Sequence, residues 1–279
     1  MKINYIIATC NYNSSSKRKY LHPLPENTLK QHLKQLLYLK HNLSQITIMK
    51  AKSVNYYKNY YNIEDIIEKF DIPVKIIDCE NYGYSGGQWL KAYEIYKNEF
   101  DYYVFNEDDY CFNQHYFDKI IVKCYNNYFK NNIGLLTSVI GGTQFYSIKN
   151  NKYPIHFSGL VFLSCSTLNK LYNDEKWKGS PRKYLDLMDS SIDPKYDWDG
   201  KKKDYPGAYY QLSFSNLFNL SKIKFESHLN YQYPHFIYWE DGKNKCVRFS
   251  LQGESRKKVY RRHISKSLYV PIQCIKIML

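Results

Sequence analysis

Short apolar runs alternate with longer amphipathic stretches through the first half of the chain. Ile3 to Ala8 reads as a buried first strand, and Thr9-Cys-Asn-Tyr-Asn13 as the loop leaving its carboxyl end. A polar, basic loop follows, with Ser14 to Lys19 and the prolines Pro23 and Pro25. A helix then begins near Asn27 and places Leu29, Leu33, Leu36 and Leu37 on one face. Ile46 to Met49 is a second strand, Ile63 to Phe70 a short helix, and Val74 to Ile77 a third strand behind Pro73. The next helix starts after Tyr84-Ser-Gly-Gly87 and carries Trp89, Leu90, Tyr93 and Tyr96. Tyr102 to Asn106 is a fourth strand, followed by a helix from about Gln114 to Phe129, and Ile133 to Val139 is a fifth strand ended by Gly141-Gly142. Strands and helices that alternate at this spacing predict a mainly parallel sheet with right-handed crossovers.

Beyond residue 140 the pattern loosens. Phe157 to Leu163 reads as a strand and Thr167 to Tyr172 as a short helix. Asn173 to Asp204 is polar, charged and weakly periodic, which predicts a long functional loop region because recognisable structure resumes after it. Tyr209 to Leu220 reads as a helix, Ile223 to Phe225 as a strand, and Asp241-Gly242 as a turn. No internal repeat and no low-complexity linker divides the chain.

The fourth strand runs straight into three acids, Glu107, Asp108 and Asp109. An apolar strand ending in carboxylates carries negative charge to the carboxyl edge of a sheet, where open α/β sheets bind ligands. Adjacent carboxylates repel one another and invite a cation, and their hard oxygens suit Mg²⁺ or Mn²⁺. An acidic solvated turn is the plainer alternative for such a run. Asn81-Tyr-Gly-Tyr-Ser-Gly-Gly87 offers backbone N–H groups at a helix start, a natural contact for a diphosphate. It matches neither the dinucleotide glycine fingerprint nor the Walker motif, so neither an NAD nor an ATP reading follows from it.

Composition adds limits. The 279 residues suffice for one large α/β domain with a substantial core. Thirty-one tyrosines, with abundant Asn, Lys and Ile, are the coding bias of an AT-rich genome, as in a large DNA virus or an AT-rich bacterium, and individual tyrosines carry little weight. A formal charge of +14 favours anionic partners without selecting among them. Seven cysteines form no C-x-x-C pair, which predicts reduced thiols and a cytoplasmic protein. The first residues hold too short an apolar run for a signal peptide, and no run approaches the roughly 18 residues of a spanning helix.

In their order, these motifs resemble the GT-A nucleotide-sugar glycosyltransferases, in particular the family 2-like inverting enzymes. The resemblance covers about residues 1 to 240: Thr9 and Tyr12 after the first strand, Asn81-x-Gly83-x-x-Gly86-Gly87 before a helix, the strand into Glu107-Asp108-Asp109, Ser158-Gly159 opening an acceptor-side strand, and His235 on a tyrosine-rich strand. It implies a GT-A (Rossmann-like) sheet flanked by helices with a smaller acceptor-side mixed sheet. It further implies a single domain over 1–245, with a nucleotide-binding half (1–140) and an acceptor-binding half (141–245), and a basic extension over 246–279.

The activity so implied is metal-dependent, inverting transfer of a sugar from a UDP- or GDP-linked donor to a glycan or lipid-linked acceptor. The acids take the place of the family's D-x-D motif, with Asp109 on Mn²⁺ or Mg²⁺ and Glu107 or Asp108 on the ribose or a metal-bound water. Thr9 and Tyr12 stand by the base, Asn81, Gly83 and Gly86 beside the nucleotide, and His235, or else His228, completes the metal or phosphate site. Inversion needs a carboxylate to take the acceptor's proton. Asp204, shortly before a helix, is the first choice, with Asp193, Asp197 and Asp199 as competitors. Arg182 and Lys201 to Lys203 are candidate phosphate clamps. The basic tail from Arg256 to Lys266 suits peripheral contact with an anionic membrane. One departure stands out: Met49-Lys-Ala-Lys52 follows the second strand where the family often has a base-reading aspartate, which leaves the base open.

Two other classes compete. A nucleic-acid-binding protein would use the charge and the aromatics, but the basic residues are scattered and acids occupy the ligand edge. A sugar-nucleotide nucleotidyltransferase wants a glycine-rich, basic loop after the first strand, and Thr9 to Asn13 has no glycine.

Overall fold

A computed structural model describes residues 1–11, 25–52, 63–80, 82–108, 110–112, 114–148, 151–183, 214–227, 236–240 and 245–247. In chain order these form β1 (Ile3–Asn11), α1 (Pro25–Tyr38), β2 (Gln45–Lys52), α2 (Glu64–Ile67), β3 (Val74–Glu80), α3 (Tyr84–Ile95), β4 (Tyr102–Glu107), β5 (Tyr110–Phe112) and α4 (Phe117–Tyr128). Then come β6 (Leu135–Ile148), β7 (Asn151–Ser164), α5 (Cys165–Tyr172), a short 3₁₀ turn (Glu175–Trp177), β8 (Phe225–Ser227), β9 (Phe236–Glu240) and β10 (Lys245–Val247). Residues 214–220 are also helical.

Seven strands make one sheet in the order β3-β2-β1-β4-β7-β6-β8. Strands β1 to β4 pair in parallel, β7 runs against both β4 and β6, and β8 is parallel to β6. The expected mainly parallel α/β sheet is therefore present, with β4 at its centre. A smaller sheet, β10-β9-β5, is built from antiparallel pairs.

Period-two alternation divides the core into two layers. Ile3, Tyr5 and Ile7 of β1 face α1 and α4 through Leu29, Leu33, Leu36, Phe117, Ile121 and Tyr125. Ile6 and Ala8 face the other way, toward Trp89, Leu90 and Tyr93 of α3, Leu168 and Leu171 of α5, and Phe214 and Phe218 of the 214–220 helix. The inner strands β1 and β4 are buried on both faces because helices cover both, whereas β3 at the sheet's edge keeps much of its length exposed.

Several element bounds differ from expectation. Tyr84 to Gly87 do not form a loop before α3 but its first turn, entered through Gly83 at φ 65°. Gly141-Gly142 do not end the fifth strand, since β6 runs on to Ile148 with its register against β7 broken between Ile140 and Phe145. The helix expected from Gln114 begins at Phe117, and the strand expected over 223–225 lies at Phe225–Ser227. Among the described residues, Cys79, Cys124 and Cys165 are free thiols, and no helix is long and apolar enough to cross a membrane.

Where β7 ends, one hydroxyl joins four segments. The buried Tyr125 Oη donates to Gly134 O at 2.9 Å and shares hydrogen bonds with the hydroxyls of Ser164 at 3.1 Å and Thr167 at 2.8 Å, linking α4, the start of β6, the end of β7 and α5. Removing it leaves buried partners short of a bond. Tyr125→Phe is expected to destabilise the fold by about 1–3 kcal/mol, read as a lower urea midpoint at unchanged slope.

Candidate functional site

The order β3-β2-β1-β4 contains the switch point of a doubly wound sheet. From β1 the chain winds outward to β2 and β3, then returns to add β4 on the opposite side of β1. A crevice opens at the carboxyl ends of strands where the winding reverses. Here that place is the end of β1 and β4, and the parallel register, running from Ile3 opposite Tyr102 to Ala8 opposite Glu107, brings Thr9 and the acids to it together.

The two described acids part company there. Successive side chains of a strand point to opposite faces. Glu107 takes the α3 side, where Ser85 Oγ donates to its Oε1 at 2.7 Å. Asp108 takes the α1 side, where Thr9 Oγ1 donates to its Oδ2 at 2.5 Å, and its own N–H donates to Ala8 O at 3.1 Å. Glu107 and Asp108 thus each accept from a hydroxyl on their own face of the sheet.

Helix α3 supplies the other wall. Gln88, 3 % exposed, accepts the Thr9 N–H on its Oε1 at 3.1 Å, and Trp89 Nε1 donates to Asn106 O at 3.0 Å. The glycines at the start of this helix allow two other close approaches. A Cβ on Gly87 would stand 1.7 Å from Tyr82 O, and one on Gly86 would stand 2.9 Å from the Phe214 ring. Beside this turn Arg182 bonds Glu94 Oε2 at 3.1 Å through Nη1, and its guanidinium lies over the Tyr82 ring. On the far side of Thr9, in register with it on β2, Lys50 pairs with Asp78 of β3 at 3.5 Å.

On the α1 side the site is backed by a buried polar chain. His32 lies on the apolar stripe of α1 between Leu29 and Leu33 and is wholly buried. Its Nδ1 is 3.1 Å from Asp108 O, and a carbonyl only accepts, so Nδ1 carries the proton. Nε2 is then bare and accepts from Tyr5 Oη at 2.9 Å, and Tyr5 Oη in turn accepts from Asn106 Nδ2. Burial lowers the His32 pKa from 6.5 to about 4, so the imidazole is neutral at neutral pH.

The sequence-derived candidates thus fall into two groups. Thr9, Glu107 and Asp108 come together at one edge, with the Gly83 to Gly86 turn against them through Ser85 and Gln88. Tyr12, Asn81, Asp109, Asp193, Asp204 and His235 lie outside the described residues, as do His228, Asp197, Asp199, Lys201 to Lys203 and the basic tail. Among the described residues no cluster of three or more His, Cys, Asp and Glu side chains forms a metal site. Ser85, Gln88, Tyr5 and His32 are residues of this edge that the sequence motifs do not mark as functional. The signal for His32 was a polar residue on an otherwise apolar helical stripe.

No protein-family profile and no curated protein matches the sequence. Solved structures with a similar chain course include mouse xyloside xylosyltransferase 1 in its apo form, at 6% identity and a TM-score of 0.43 over 81% of this chain and 85% of that one. Residues 1–349 of S. aureus TarS align at 13% identity and a TM-score of 0.44, over 82% of this chain and 58% of that one. A putative glucose-1-phosphate thymidylyltransferase from Bacillus anthracis aligns at 12% identity and a TM-score of 0.39, over 85% and 89%.

The buried histidine makes a pH prediction with a definite sign. Its folded pKa lies below the unfolded value, so the unfolded chain binds the proton more readily between pH 6.5 and about 4. The stabilisation is complete above pH 6.5 and is lost as pH falls toward 4, to the extent of roughly 3 kcal/mol. His41, lowered mainly by burial, acts in the same direction. Urea midpoints measured from pH 8 to 5 are expected to fall, and His32→Gln is expected to flatten that slope.

Proposed function

We propose that this chain is a nucleotide-sugar-dependent glycosyltransferase whose donor lies across the carboxyl ends of β1 and β4. The observation that carries the reading is the meeting of Thr9, Glu107 and Asp108 at the switch point of the sheet, against the glycine turn that opens α3. A nucleoside diphosphate needs a crevice of this kind, with polar groups on one side for the base and ribose and fixed charge on the other for the diphosphate.

In this reading the base lies over Thr9 and Tyr12. The Lys50–Asp78 pair, beside Thr9, sets an N–H donor next to a carboxylate acceptor. That combination complements the adjoining carbonyl and imide N–H of uracil or guanine, and so favours UDP- or GDP-linked donors. Asn81, Gly83 and Gly86 adjoin the nucleotide, and Asp108 or Glu107 adjoins the ribose.

Asp109 and His235 would be the residues that hold Mn²⁺ or Mg²⁺. The hard carboxylate oxygens suit either ion, and an imidazole beside them favours Mn²⁺ over Mg²⁺. When bound, the metal neutralises charge on the departing diphosphate. Asp204, or failing it Asp193, removes the proton from the acceptor hydroxyl as that oxygen attacks the anomeric carbon from the face opposite the diphosphate, which inverts the configuration. The acceptor is a glycan or a lipid-linked sugar, and the basic tail brings the enzyme to the membrane that carries the latter.

Calorimetric titration with UDP and GDP, with and without Mn²⁺, tests the donor side. Metal-dependent binding of one nucleotide is expected, and Asp109→Ala is expected to abolish the metal dependence; tight, salt-sensitive binding of an oligonucleotide in its place would sink the proposal. The acceptor side has a separate test. Asp204→Asn is expected to keep donor affinity and to lower transfer by 10²-fold or more, whereas full turnover would remove Asp204 as the base.

A further inference from the structure

His32 has no part in the reaction proposed above, yet both of its ring nitrogens are engaged beside the site. It is wholly buried, sits on a helix otherwise committed to apolar packing, and spans from Tyr5 on β1 to the carbonyl of Asp108 just past β4. Burying an imidazole in a core is unfavourable unless both nitrogens are bonded. Both are, and the direction of every bond is set by the carbonyl at one end.

The chain of bonds begins on β4 at Asn106 and ends just past that strand at Asp108. Asn106 Nδ2 donates to Tyr5 Oη, Tyr5 Oη donates to His32 Nε2, and His32 Nδ1 donates to Asp108 O. With the Asp108 N–H bonded to Ala8 O and its Oδ2 accepting from Thr9, the residue is gripped at its amide, its carbonyl and its carboxylate. A peptide group is planar, so holding the carbonyl fixes the direction in which the chain leaves Asp108. That direction is what an acid turn must keep constant to meet a metal and a diphosphate, because small displacements of positioning groups are costly in rate and affinity.

We propose that His32 is a positioning residue: through its Nδ1–H bond to the Asp108 carbonyl it sets the course of the acid turn that receives the metal–diphosphate group. The proposal rests on the functional reading for what the turn binds, but not for whether the turn is held. Thr9 and Ser85 orient the carboxylates, while His32 orients the backbone that carries them.

Two substitutions separate this role from simple core packing. His32→Asn keeps a donor at the δ position, facing the Asp108 carbonyl, and loses the contact to Tyr5. His32→Gln does the reverse, keeping an acceptor for Tyr5 and losing the donor to Asp108. Amide hydrogen exchange over residues 104–112 is expected to accelerate in His32→Gln and to stay near wild type in His32→Asn. Mn²⁺-dependent affinity for UDP or GDP is expected to fall about tenfold or more in His32→Gln and to return to within about threefold in His32→Asn.

If both variants lose exchange protection and affinity alike, or if His32→Gln leaves both unchanged, the proposal is overturned and His32 is a packing residue. Should wild type bind neither nucleotide, the functional reading fails and the exchange comparison alone decides the role of His32. If neither variant folds, Tyr5→Phe takes their place. It deletes the hydroxyl bonded to Nε2 and leaves the Nδ1–H bond to Asp108 in place, so exchange over residues 104–112 is expected to stay near wild type, and a loss of protection there would contradict the proposal.

Discussion

The parallel pairing of β1 with β4 is the constraint on which the candidate site depends. These strands are far apart in sequence, and nothing local brings them together. Once Ile3 lies opposite Tyr102, the register delivers Ala8 opposite Glu107 and leaves Thr9 level with Asp108. A slip of one residue would turn every side chain of β4 to the wrong face. It would expose Val104 and Tyr102 to the α3 layer and break the bonds from Asn106 to Tyr5 and from Thr9 to Asp108 together. The register that fills the two core layers is thus the one that assembles the polar edge.

The two helices nearest the edge do different work. Helix α3 packs its first turn against Tyr82 and Phe214, where glycines leave the room, and from it Ser85 and Gln88 bond Glu107 and the Thr9 backbone. Helix α1 comes from the opposite face and reaches the same edge through His32. Glu107 and Asp108, adjacent in sequence, are consequently served by separate layers, and each has a hydroxyl donor of its own. Alternation in a strand outweighs proximity in the chain.

Much of the first half was legible in the sequence because its strands are continuous apolar runs and its helices carry clear stripes. Leu29, Leu33 and Leu36 pointed to α1, and the run before Glu107 pointed to β4. The second half was less so. The antiparallel insertion of β7 between β4 and β6 depends on pairing across more than 50 residues, which leaves no local trace, and the three residues of β5 are too few to show a period. In the site, the acids and Thr9 were legible as polar residues at strand ends. Ser85, Gln88 and His32 were not, since each acquires its role from a partner on another element. The glycines misled in one respect: Gly86 and Gly87 looked like a flexible loop, whereas close packing against Phe214 and Tyr82 demands them within the first helical turn.

The most direct test of the central claim is the phosphorus-containing product. The purified chain would be incubated with a panel of UDP- and GDP-sugars, Mn²⁺ and mixed glycan acceptors, and in parallel with nucleoside triphosphates and sugar phosphates, with products followed by ³¹P NMR. Glycosyl transfer predicts release of a nucleoside diphosphate from one of the sugar nucleotides, abolished by EDTA. Pyrophosphate released from a triphosphate and a sugar phosphate, with no diphosphate from any sugar nucleotide, would contradict it.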